Sequence, residues 1–328
     1  MPRTLRDEIV DFITYWSTKS ELPVKKLLAW LTLFPGRFYE WRRRYQTENK
    51  HNGSQPKNHW LLEWEKKEIQ EYSKSHPLEG YRRLAFMMID ENIVAASPSS
   101  VYRVLKAANL LMQQEGKTSK KGTGFDQPKE PHEHWHIDVS YINIACTFFY
   151  FCSILDGYSR YIVHWELREQ MKEADIEIIL QRAKEKFPCV KPRVISDNGP
   201  QFIANDFKEF IRIMEMTHVK TSPYYPQSNG KIERWHRTFK SECVRKTYLS
   251  SLEQANLLMN GYIQHYNEKR LHGAIGYVTP FNKLLGREQQ IFVERKLKLN
   301  RAQQNRLQVF SQIENIKYEK VEEYAVLG

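Results

Sequence analysis

Cysteine is scarce: the 328 residues hold four, Cys146, Cys152, Cys189 and Cys243. None forms a Cys-x-x-Cys pair, and no histidine pair stands beside them at zinc-ligand spacing. This argues against a structural zinc and against a disulfide framework. Cys146 and Cys152 read instead as small buried hydrophobes in strand-like sequence. Long apolar runs are missing too. No stretch approaches the roughly 18 apolar residues of a membrane span. The N-terminal segment, with Arg3, Arg6, Asp7, Glu8 and Asp11, has no signal-peptide core. The expectation is a cytoplasmic protein. No repeat of fixed period appears, which excludes a solenoid.

Positive charge is in excess. Fifty Lys and Arg against 39 Asp and Glu leave a formal net charge of +11. An imbalance of that size favours a polyanion as partner, although many basic proteins bind none. With 41% hydrophobic residues there is enough apolar material for packed cores, and the length suits two or three domains.

Residues 1–52 are expected to form a first helical domain of three short helices. Leu5, Ile9, Phe12, Ile13 and Trp16 recur at helical spacing. Val24, Leu27, Leu28 and Leu31 follow Pro23. A third helix opens at Pro35, with Phe38, Trp41 and Tyr45 toward a core and Arg37, Arg42, Arg43 and Arg44 on or beside the other side. The pattern fits a helix-turn-helix, with Arg42 and Arg43 as DNA contacts; a plain three-helix bundle with a solvated basic face is the alternative.

Residues 53–113 hold a second such unit. Its first helix is anchored by Trp60, Leu61, Trp64, Ile69 and Tyr72, its second by Tyr81, Leu84, Ala85, Met88 and Ile89. Ser97-Pro98 reads as a cap and first-turn proline. The helix that follows buries Val101, Val104 and Leu105 and leaves Ser99, Ser100, Tyr102, Arg103 and Lys106 to a groove. Residues 114–130, polar and rich in Gly and Lys, read as a flexible linker.

From residue 131 to 285 strands and helices alternate. Strands are predicted at His134–Ile144, Thr147–Leu155, Arg160–Arg168, Arg193–Ser196 and His218–Ser222. Helices are predicted over 173–187, 203–214, 229–246 and 251–268. Three meandering strands followed by helix–strand alternation predict an α/β fold with a mixed sheet and helices on both faces. Residues 286–328 read as a charged helical tail with only a weak apolar stripe.

Three acids stand out in this region. Asp138 interrupts the apolar strand HWHIDVSYI, where an ionised carboxylate is costly unless paired or bound to a cation. Asp197 ends a second apolar strand in ISDNGPQF, at a strand end of the kind where ligands bind in open α/β sheets. Glu233 falls in the first turns of a helix whose Ile232, Trp235, Phe239 and Cys243 point to the core. Arg237 and Lys240 follow Glu233 on an adjacent face. Alone, Glu233 and Arg237 read as an ordinary surface pair. Gathered at one point, three carboxylates repel one another, and a hard divalent cation such as Mg²⁺ removes that penalty. Two such ions suit phosphodiester chemistry.

The segments HWHIDVSYI, LDGYSRYIV, ISDNGPQF and SPYYPQSNGKIERWHRTFK resemble the catalytic core of retroviral-type integrases and bacterial insertion-sequence transposases. Thirty-five residues separate Asp197 from Glu233, and Lys240 lies seven beyond it, as in that family's Asp-Asp-35-Glu signature. GYRRLAFMMIDENIVAASPSSVYRVLKAANLL resembles the helix-turn-helix upstream of the core in IS-three-type transposases. The resemblance implies a ribonuclease H-like fold. It implies two Mg²⁺ or Mn²⁺ ions held by Asp138, Asp197 and Glu233, with Arg237 and Lys240 on DNA phosphates. It further implies cleavage and strand transfer at element ends by water or a DNA 3′-hydroxyl, on double-stranded terminal repeats and target DNA, in a homo-oligomer near the nucleoid. The His-His-Cys-Cys zinc domain of retroviral integrases has no counterpart here, which favours the bacterial branch. Tyr224, Tyr225, Gln227 and Asn229 could touch DNA beside the site or merely pack the loop. His136 and His236 read as structural or phosphate-contacting rather than metal-binding, and Asp156 as a hairpin residue. The competing readings are a DNA-binding regulator that lost its chemistry, and a nuclease acting on RNA–DNA hybrids.

Overall fold

The computed structural model describes residues 3–47, 60–111, 127–197, 199, 202, 205–220 and 229–326, with side chains to residue 312. Its chain divides into two compact units, residues 1–56 and 57–328.

The first unit holds helices α1 (Arg3–Lys19), α2 (Val24–Trp30) and α3 (Pro35–Arg43). Its core is Val10, Ile13, Leu27, Leu28 and Phe38, with Ile9, Val24 and Trp41 packed against it. The expected stripe on α1 is therefore shifted: Leu5, Phe12 and Trp16 are exposed, as are Leu31 and Tyr45. Two short partner helices cover only one stripe of α1. Arg6 fills the remaining inward position, its guanidinium donating to the Thr47 carbonyl.

The second unit begins with α4 (Glu63–Ser75), α5 (Tyr81–Asp90) and α6 (Pro98–Ala107). Ser97 Oγ accepts the Ser100 N–H at 3.2 Å, the expected cap on α6. Ile69, Tyr72, Leu84, Ala85, Met88, Val101 and Leu105 form the core. Trp64 lies outside it, exposed, on the far side of α4.

The sheet comprises β1 (His134–Ile144), β2 (Thr147–Asp156), β3 (Ile162–Arg168), β4 (Arg193–Ser196) and β5 (Thr217–Lys220). Their order is β3-β2-β1-β4-β5. The first three pair antiparallel; β4 and β5 run parallel to β1. Helices α7 (Glu173–Lys186) and α8 (Asn205–Ile213) share one core with Trp135, Ile137, Cys152, Ile154 and Val194. Helices α9 (Gly230–Glu242) and α10 (Leu252–Glu268) share the other with Ile142, Ile144, Phe149 and Phe151. The alternation along β1 and β2 assigns each residue to a face. This is the ribonuclease H-like arrangement. Cys146 departs from expectation: it is exposed, at φ 65°, in the turn between β1 and β2.

A short helix, α11 (Pro280–Leu284), leads into α12 (Glu288–Val326), 39 residues and about 58 Å long. It folds against the α4–α6 bundle. Arg295 donates to both carboxylate oxygens of Asp90 at 2.7 and 2.6 Å, and Arg306 forks onto Glu65 with both side chains buried. The weak apolar stripe is thus explained: polar contacts carry much of this seam.

Candidate active site

Asp138 sits mid-strand on β1, on the face turned to α9. Its Oδ1 accepts the Val139 N–H at 2.9 Å, and its Oδ2 lies 3.2 Å from His236 Nδ1. The side chain keeps 20% of its surface exposed, so it opens to solvent from an otherwise buried strand. Directly across in β2 stands Ser153.

Asp197 is the first residue past β4 and is exposed. The parallel register pairs His134 with Arg193, Trp135 with Val194 and His136 with Ile195. Asp197 lies two residues beyond Ile195 and Asp138 two beyond His136, so both follow the last paired residues of neighbouring parallel strands. Asp197 Oδ1 accepts the Gly199 N–H at 3.0 Å, which holds the carboxylate at the turn.

Helix α9 lies over this face because Ile232, Trp235 and Phe239 are buried against it. Phe239 stacks on Phe151 with ring centroids 4.6 Å apart. At the helix start, Asn229 Oδ1 is 3.4 Å from His136 Nδ1; two turns on, His236 meets Asp138. Glu233 is four residues after the first anchor and three before the second, on the same side of the helix. It is exposed, as is Arg237, while Lys240 is half-buried. Burial pushes the Lys240 ammonium below its ordinary range; Arg245 adds to this and Asp138 opposes it.

Asp138 thus stands on β1, Asp197 just past the end of the adjacent β4, and Glu233 on α9, which packs over this face. The structure does not close them into one shell: among the described residues, no three His, Cys, Asp or Glu stand where they could hold one ion. Residues 221–228, with Tyr224, Tyr225 and Gln227, lie outside the described residues.

Of three further residues near the site, Asn229 departs from its expected DNA contact, whereas His136 and Asp156 take structural roles. Asn229 is buried against His136, which removes it from any DNA-facing surface. His136 is fully buried, and burial, with Lys231 and Arg160 nearby, pushes its pKa down to about 3. Asp156 is a hairpin residue, but a buried one. It accepts from the His132 N–H at 2.8 Å and from the Ser159 N–H and hydroxyl at 2.7 and 2.6 Å. Gly157 beside it is required by space: a Cβ there would come within 2.9 Å of His136 Nε2 and 3.2 Å of His134 Cβ.

Of the upstream candidates, Arg42 and Arg43 are exposed at the end of α3, and Arg103 and Lys106 are exposed on α6. Ser100, expected at the groove, is buried beneath the α6 cap. Arg103 borders a cleft of about 510 Å³ that also meets Trp60, Lys66 and Phe310, so α12 flanks one side of α6. The contact sequence reasoning missed is His236 with Asp138. The spacing of three from Glu233 was visible, but Ser153 and Asp138 meet only through sheet register.

Two family models, each described as an integrase core domain, match residues 128–226 and 214–280. The chain is 26% identical over 218 residues to the insertion element IS476 uncharacterized 39.2 kDa protein of Xanthomonas euvesicatoria. That alignment covers 64% of this chain and 61% of the relative. It is 25% identical over 229 residues to transposase InsD for insertion element IS2 of Escherichia coli, covering 62% and 72%. Among solved structures, the HTLV-2 integrase catalytic core domain in complex with magnesium is 16% identical, with a TM-score of 0.36. That match covers 48% of this chain and 97% of the other.

Proposed function

We propose that this chain, whose residues 128–226 and 214–280 match integrase core domain models and which is similar to insertion-element transposases, binds element ends and catalyses their cleavage and strand transfer. The observation that supports the reading is that β1, which carries Asp138, pairs parallel with β4, which Asp197 directly follows, under the helix that carries Glu233.

The donor set fits hard divalent ions. All three groups offer carboxylate oxygens, and a sparse oxygen site suits Mg²⁺ or Mn²⁺. Asp138 has used two of its roughly four acceptor positions, on Val139 and His236, so the rest are open to a cation. Asp138, Asp197 and Glu233 would hold the ions between them. The bound ions supply activation of the attacking oxygen and stabilisation of the leaving one. The attacking group is water or a DNA 3′-hydroxyl, with no covalent protein–DNA intermediate.

Other residues handle the polyanion. Arg237 and Lys240, further along α9, neutralise phosphates beside the acids. Arg103 and Lys106 on α6 face double-stranded terminal repeats; Arg42, Arg43 and Tyr225 add contacts. Joining two ends to a target calls for more than one copy of the chain. No helix among the described residues is long and apolar enough to cross a membrane, and nucleoid DNA is the place of action under this reading.

The test is incubation of the chain with element-end DNA and Mg²⁺, with products read on a denaturing gel. Joined strands longer than the input support the proposal. Specific binding without any Mg²⁺-dependent cleavage would instead support a regulator that has lost its chemistry.

A further inference from the structure

We propose that His236 is a positioning residue that fixes the Asp138 carboxylate through a hydrogen-bond chain starting at the Trp235 indole. The inference rests on the reading of Asp138 as a metal ligand. Four groups form the chain. Trp235 Nε1–H donates to Ser153 Oγ at 3.2 Å. Ser153 Oγ lies 2.8 Å from His236 Nε2. His236 Nδ1 lies 3.2 Å from Asp138 Oδ2. An indole N–H can only donate, so the direction at the first link is fixed. A carboxylate can only accept, so the ring proton stands on Nδ1, aimed at Asp138, and the Ser153 hydroxyl donating to Nε2 holds that tautomer.

The arrangement has the members of a Ser–His–Asp triad, yet it cannot work as one. Ser153 is fully buried on β2, an interior strand, and its oxygen already accepts the indole N–H. No substrate reaches it. The order of action is reversed: serine sets the histidine tautomer and histidine sets the carboxylate. The ring has little freedom to do otherwise. His236 is 6% exposed, and the Phe151 ring meets it edge-on at 5.9 Å. Because Oδ1 is tied to Val139 and Oδ2 to His236, the carboxylate is held in one rotation. Its open acceptor positions are directed away from both tethers. A carboxylate held this way binds a cation without first losing side-chain freedom, and such orienting partners contribute about 10–100-fold in metal affinity.

The experiment measures Mn²⁺ binding to the full chain by electron paramagnetic resonance, for the wild type, Asp138→Asn, His236→Leu and His236→Asn. Asp138→Asn is expected to remove binding. His236→Leu is expected to weaken it by about 10–100-fold, and His236→Asn, whose amide can donate near the former Nδ1, to restore most of it. Wild-type affinity in Asp138→Asn, or no binding in the wild type, overturns the metal-ligand reading itself. Loss in Asp138→Asn with wild-type affinity in His236→Leu, or equal loss in the Asn and Leu variants, overturns the role of His236 alone. A second measurement needs no destabilised variant. Nitrogen-15 histidine spectra of the wild type, with the His236 signal assigned by its absence in His236→Asn, are expected to show the ring proton on Nδ1. A proton on Nε2 contradicts the chain as drawn.

Discussion

Breaking the Arg306–Glu65 pair should cost the second unit a large share of its stability. Arg306 Nε reaches the two Glu65 oxygens at 3.0 and 2.8 Å, Nη2 reaches Oε1 at 2.8 Å, and Nη2 also donates to the Ala95 carbonyl at 2.6 Å. The side chains are 4% and 5% exposed. Glu65 Oε2 also accepts the Leu62 N–H at 2.9 Å, closing the start of α4. Arg306→Met keeps the aliphatic length but leaves a buried carboxylate with one backbone donor, at a cost of about 3–5 kcal/mol. Glu65→Leu strands the guanidinium on the Ala95 carbonyl and also loses the helix start, adding about 1 kcal/mol. The double variant restores an apolar contact of similar volume, so it should return to within about 1–2 kcal/mol of the wild type. The assay is urea unfolding followed by tryptophan fluorescence, since Trp60 packs against Phe310 of α12 with ring centroids 6.0 Å apart. Additive costs in the double variant, or Arg306→Met within about 1 kcal/mol of the wild type, would refute the view that this pair straps α12 to the bundle.

Three further outcomes are expected. Burial, with Arg270 and Arg160 nearby, pushes the His272 pKa down to about 3. The unfolded chain takes up that proton below about pH 6.5 and the folded chain does not, so stability falls on acidification from there toward pH 3. The slope is at most about 1.4 kcal/mol per pH unit. His272→Phe should flatten this limb in unfolding midpoints measured at pH 7, 5.5 and 4.5; parallel curves count against it. Gly157→Ala should lower stability by about 1–3 kcal/mol through contact with the buried His136 ring, read by thermal unfolding. Arg103→Ala should weaken element-end binding by about 1–3 kcal/mol for a base contact, or reduce the salt slope by about one for a phosphate contact. Unchanged affinity across several salt concentrations would make α6 part of a plain bundle.

Where periodicity has one solution, the sequence was legible. β1 and β4 fall on the residues predicted, because each is an apolar run bounded by a turn. Helix α9 buries the predicted Ile232, Trp235 and Phe239, and Cys243 just past its end is buried as predicted too. The helix stops at Glu242 rather than 246, and a short 3₁₀ turn follows. On α1, apolar residues lie on more than one side, and only its partner helices decide that Val10 and Ile13 go inside while Phe12 and Trp16 stay out. Helix α12 carries no clear stripe because Arg295 and Arg306 meet partners more than 200 positions earlier. The same limit applies at the site. The interval from Asp197 to Glu233 can be counted along the chain, but His236 acquires its meaning only where Ser153 and Asp138 pair across two strands.

The central claim is that Asp138, Asp197 and Glu233 act together in Mg²⁺-dependent DNA joining. The direct measurement is strand transfer on element-end DNA by Asp138→Asn, Asp197→Asn and Glu233→Gln, each alone, with DNA affinity measured on the same preparations. The account predicts that each variant binds the DNA as the wild type does and yields no joined product. Wild-type joining by any one of the three contradicts it.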